Sequence, residues 1–66
     1  MPIYRCYLLG LDDQLVSVQE LRRQDDQQAI AWANGVLREK QQYWGIELWQ
    51  ASRLVHRRRR SPSAGR

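Results

Sequence analysis

Sixty-six residues make room for one domain, and a chain this short buries a smaller share of its surface than a longer one, so its core is thin. Cys6 is the only cysteine and His56 the only histidine, which excludes an internal disulfide framework and a four-ligand Cys/His zinc site. The net charge of +4 is unevenly placed: residues 1–55 carry six basic and seven acidic side chains, for −1, and residues 56–66 carry five arginines and no acid, for +5.

The body is therefore not a basic nucleic-acid-binding surface. No apolar run approaches the length of a signal-peptide core or a membrane span, so the expected location is the reducing cytoplasm, where a lone thiol needs no partner. A core this small gains from self-association.

Pro2–Leu9 alternates as a strand, with Tyr4, Cys6 and Leu8 on an uncharged face that is expected to turn to the core. Ile3, Arg5 and Tyr7 share the other face. Gly10, Asp12 and Asp13 supply turn chemistry, and Leu15–Leu21 resumes a strand pattern with Val16 and Val18 on one side, which predicts a hairpin.

Asp25 is a good helix N-cap, Gln28 stands where a capping-box partner reaches back, and the helix is predicted to start at Asp26. Ala29, Ile30, Ala33, Val36 and Leu37 fall within an arc of roughly 120°, one buried stripe on about four turns, with Trp32 at its margin. Asn34-Gly35 is also a hairpin signal, but the alanine-rich, non-alternating flanks favour a helix that absorbs about 1 kcal/mol for Gly35.

After residues 41–45, Ile46–Gln50 and Arg53–Arg57 read as two more strands around Ala51-Ser52, although that dipeptide is not a favoured tight turn. A two-residue loop sets Leu48 opposite Val55, Trp49 opposite Leu54 and Glu47 opposite His56. Ile46, Leu48 and Val55 then face the helix, and Glu47, Trp49, Leu54 and His56 the open side. The expected fold is α+β: a ββαββ domain over residues 1–57 with an antiparallel four-stranded sheet in order 2-1-3-4, one helix on one face, and a disordered basic tail over 58–66.

The opening Pro2-Ile3-Tyr4-Arg5-Cys6-Tyr7, the acidic turn, Asp25-Asp26 before an alanine-containing helix, and Glu47-Leu48-Trp49 followed by Arg53-Leu54-Val55 together resemble a group of very short bacterial proteins with no assigned function. The similarity spans most of residues 2–57. In that group a glycine is usual in the turn where this chain has Ala51-Ser52, and the resemblance brings no activity with it.

The chain has no Walker glycine loop, GxGxxG, HExxH or CxxC, and neither Asp12-Asp13 nor Asp25-Asp26 opens a calcium-loop pattern. The expectation is a non-enzymatic protein with no cofactor and no metal. Cys6 and His56 are the one conceivable nucleophile and base, but the face assignment separates them, and a free strand cysteine is ordinarily a small buried hydrophobe. Ile3, Tyr7, Trp49 and Leu54 on the uncovered face are the expected protein interface, with a homodimer as the first reading. The alternative is non-specific nucleic-acid binding through Arg57, Arg58, Arg59, Arg60 and Arg66, a run that also suits a solubilising tail or an anionic membrane surface.

Overall fold

A computed structural model describes residues 1–60. Strand β1 (Ile3–Leu9) turns through Gly10–Gln14 into β2 (Leu15–Arg22); helix α1 (Asp26–Glu39) follows, then β3 (Gly45–Gln50) and β4 (Arg53–Arg59). The sheet order is β2-β1-β3-β4 with every neighbouring pair antiparallel, the expected α+β architecture.

Alternation on β1 sorts the two faces. Tyr4, Cys6 and Leu8 are buried under α1 together with Ile46 and Leu48 of β3, Leu21 of β2, and Ala29, Ala33 and Leu37 of the helix. Both alanines are fully covered, because a methyl side chain lets the helix backbone sit close to the sheet. Ile30, Trp32, Val36, Tyr43 and Val55 close the margin of this core.

The helix starts at the expected residue. Asp25 is extended at φ −152 and its side chain accepts a 3.0 Å bond from the Gln28 backbone N–H, while the Gln28 amide oxygen reaches back to the Gln24 N–H at 3.4 Å. No glycine stops the helix; Lys40 is extended at φ −104 and its N–H bonds the Val36 carbonyl at 2.8 Å. The rest of the C-terminal capping comes from Arg60, whose guanidinium donates to the carbonyls of Leu37, Lys40 and Tyr43. It also lies 5.9 Å from the centre of the Trp44 ring.

The structure corrects two expectations at this end of the chain. Strand β4 runs on to Arg59 instead of ending at Arg57, because Gly45, Ile46 and Glu47 continue the ladder opposite Arg59, Arg58 and Arg57. The residues assigned to a disordered tail therefore include two strand residues and, in Arg60, the helix cap; residues 61–66 lie outside the described residues. Second, a bulge between Leu48 and Trp49 makes Val55 the extra residue, so Trp49 pairs with Leu54 as expected but Leu48 pairs with His56 and Glu47 with Arg57. His56 consequently faces the helix, where its Nε2 lies 3.2 Å from Asn34 Oδ1, and not the open side. Val55 keeps its expected place against the core.

The Ala51-Ser52 loop has two residues, with Gln50 paired to Arg53. Ala51 adopts φ 54, a left-handed conformation that sets its Cβ against the backbone and that glycine takes without penalty. Ala51→Gly is expected to raise unfolding stability by about 1 kcal/mol and Tm by roughly 4–8 °C. Thermal and urea unfolding followed by circular dichroism check this, and a less stable variant would contradict it.

Candidate functional site

The face of the sheet opposite α1 is built row by row from residues that the ladder aligns across all four strands. One row reads Glu20, Arg5, Trp49, Leu54 and the next Val18, Tyr7, Glu47, Arg57, from β2 to β4. Ile3 stands beyond the first row, opposite Arg22. The four expected interface residues, Ile3, Tyr7, Trp49 and Leu54, thus share this face, and Val18 extends them onto β2. The apolar side chains run diagonally, with charges filling the other corners.

One pair of those charges is joined: Arg57 Nε lies 3.4 Å from Glu47 Oε2, and the Trp49 indole N–H donates to Glu47 Oε1 at 3.2 Å. Arg5 and Glu20 stand opposite each other in the ladder as unlike charges. Ile3, Arg5, Tyr7, Glu47, Trp49, Ala51 and Ser52 line a shallow depression of about 670 Å³. Tyr7 and Trp49 are half-buried by their neighbours, whereas Ile3 (41%), Val18 (44%) and Leu54 (45%) stand in solvent. The face thus combines two aromatic rings, aliphatic side chains at their margin and charges of both signs.

Sequence reasoning missed a polar cluster on the helix side. The buried Tyr4 hydroxyl donates to Asp26 Oδ1 at 2.7 Å, and Arg53 forks onto both Asp26 oxygens at 3.1 Å each, while also bonding Gln50. It ties the first helical residue to β1, β3 and β4. The signal was the uninterrupted hydroxyl on a core-facing tyrosine, since a buried phenol takes a hydrogen-bond partner. Arg53 first, and then the Tyr4 hydroxyl, holds the Asp26 carboxyl below its ordinary value; the same hydrogen bond, with burial, raises the Tyr4 phenol.

The bulge also brings Cys6 and His56 onto the same face, which removes the argument that had separated them. They stand in one row with Leu48 between them, two strand spacings or roughly 10 Å apart. Cys6 is fully buried and desolvation pushes its thiol up to about 12, while His56 is engaged with Asn34. The pair forms no hydrogen-bonded dyad. Among the described residues no three His, Cys, Asp or Glu side chains group closely enough to hold a metal ion.

The arginines of the alternative reading have separate fates. Arg57 pairs with Glu47, Arg59 Nη1 with Asp13 Oδ2 at 3.1 Å, and Arg60 caps the helix; Arg58 has no ion pair among the described residues, and Arg66 lies outside them. Among the described residues no helix is long and apolar enough to cross a membrane. No protein-family model, curated protein or solved structure matches the chain.

Two measurements test these assignments. A carboxylate with a depressed folded pKa stabilises the fold above its unfolded value and loses that contribution as the pH falls through the folded one. Wild-type Tm is therefore expected to drop on acidification below the ordinary aspartate range, and Asp26→Asn to start lower at neutral pH and follow a flatter acid limb; parallel wild-type and variant profiles would refute the role of Asp26. Cys6, for its part, should react with a thiol reagent only as fast as the domain opens. Rapid labelling under native conditions would show that it is accessible.

Proposed function

We propose that this chain is a non-enzymatic, cytoplasmic protein-contact module that pairs with a second copy of itself through the open face of its sheet. The observation that carries the reading is the diagonal apolar band, Val18, Tyr7, Trp49 and Leu54, with Ile3 beside it, on a face that α1 does not cover. A band that crosses the sheet diagonally, flanked by charges of both signs, can meet its own copy about a two-fold axis with apolar side chains on apolar side chains. Arg5 and Glu20 on one side, and Arg57 and Glu47 on the other, supply both signs to such a contact. A nucleic-acid partner would meet carboxylates on this face, and among the described residues the arginine run offers it one member, Arg58, with neither an ion pair nor a carbonyl partner.

A free, buried thiol suits a reducing compartment, which supports the cytoplasmic part of the reading. The face contributes no group poised for proton transfer or nucleophilic attack, which supports the non-enzymatic part.

Light scattering over a micromolar concentration series tests the pairing. The wild type is expected at the mass of two chains, and Leu54→Glu and Trp49→Glu are each expected at the mass of one. Leu54 is exposed, so its variant keeps the fold even if the half-buried Trp49 does not tolerate glutamate. A wild type that stays monomeric at high micromolar concentration sinks the proposal.

A further inference from the structure

The second half of α1 and the end of β4 enclose a groove of about 370 Å³ on the helix side of the sheet, lined by Asn34, Leu37, Arg38, Arg58, Arg59 and Arg60. Four of the six lining residues are arginines and none is acidic. Their charges are not equally engaged. Arg59 reaches Asp13, and Arg60 is spent on the carbonyls of Leu37, Lys40 and Tyr43, so it also neutralises the negative end of the helix dipole beside the groove. Arg38 and Arg58 have no ion pair among the described residues, and both are exposed.

Asn34 completes the lining as a donor. It stands four residues before Arg38, so the two project from one helix face. Its Oδ1 is turned to His56 Nε2 at 3.2 Å, which leaves the amide NH₂ unclaimed by that contact. Arg58 comes from the opposite wall, placed on the helix side by its pairing with Ile46.

We propose that this groove binds a phosphate group, with Arg38 and Arg58 as the charged walls and the Asn34 amide as a neutral donor. Two guanidinium forks offer paired N–H donors from two directions, which suits a tetrahedral oxyanion carrying three or four acceptor oxygens better than a planar carboxylate that one fork already satisfies. Among the described residues the two guanidiniums share a groove with Arg60 and no compensating carboxylate, so binding of an anion also relieves like-charge repulsion. The phosphate is either part of a phosphorylated small molecule or a diester of a nucleic-acid strand. The site is on the opposite side of the sheet from the proposed dimer face, and the two readings stand or fall separately.

Titration of the full-length, ¹⁵N-labelled chain with inorganic phosphate, pyrophosphate and a single-stranded oligonucleotide, at constant ionic strength in chloride, tests the site. Amide shifts are expected at Asn34, Arg38 and Arg58. Arg38→Gln and Arg58→Gln should each weaken binding about tenfold, the usual effect of removing one charge-assisted contact, and Arg58→Lys should recover only part of the loss. Arg23→Gln, in the connection between β2 and α1 and outside both surfaces, removes the same charge and should leave affinity unchanged. Groove shifts with phosphate and pyrophosphate alone assign the site to a phosphorylated small molecule, and stronger groove shifts with the oligonucleotide assign it to a strand backbone. The absence of groove shifts with all three probes, or an equal loss in Arg23→Gln, overturns the proposal.

Discussion

A fourteen-residue helix is about 21 Å long and 10–12 Å wide with its side chains, while four strands spaced about 4.8 Å apart span roughly 14 Å between their outer backbones. One helix therefore covers one face of this sheet, and not all of that. It packs over β3 and β4 and reaches the core side of β1, leaving β2 with Leu21 as its only buried residue. The core is correspondingly lopsided. Its centre is the stack of Cys6, Leu8, Ile46 and Leu48 against Ala29, Ala33 and Leu37; a polar cluster, Tyr4 to Asp26 to Arg53, anchors the helix N-terminus, and the contact of Asn34 with His56, together with Arg60, ties the second half of the helix to the end of β4.

The same constraint shapes the opposite face. Side chains there cannot be hidden within the monomer, so Tyr7 and Trp49 are half-covered by their neighbours and the aliphatic residues around them remain wet. The two edges of the sheet differ as well. β4 carries four arginines and a bulge, two devices that discourage strand addition, whereas Ser17–Arg22 of β2 is regular and nearly free of charge apart from Glu20 and Arg22. Edge and face thus both leave apolar surface on the β2 side, with guanidinium groups gathered on the β4 side.

The β1 faces, the helix start, the buried helix stripe and the strand order were legible because each rests on periodicity or on a cap with a definite chemistry. The placement of Ile3, Tyr7, Trp49 and Leu54 on one face followed from the same alternation. What was not legible is the bulge at Val55. A bulge inserts one residue without a diagnostic residue type, yet it reverses the face of every position beyond it, and His56 changed sides for that reason alone. The polar cluster was hidden for another reason: Tyr4, Asp26 and Arg53 are far apart in the chain, and only the packed sheet brings them together.

The arginine run shows most clearly how composition misleads when it is read without a partner strand. Four consecutive arginines with no large aliphatic neighbour resemble a solvated tail, because nothing in them can be buried. A strand does not require its own side chains to be buried, however; it requires a ladder, and Gly45, Ile46 and Glu47 supply one. Once the ladder is formed, alternation distributes the run. Arg57 and Arg59 point to the open side, where Glu47 and Asp13 receive them, and Arg58 points to the helix side, into a groove that has no carboxylate among the described residues. Arg60, just past the ladder, turns onto the helix carbonyls and the Trp44 ring. Identical residues thus take up two ion pairs, a helix cap and, in Arg58, one position without an ion pair among the described residues.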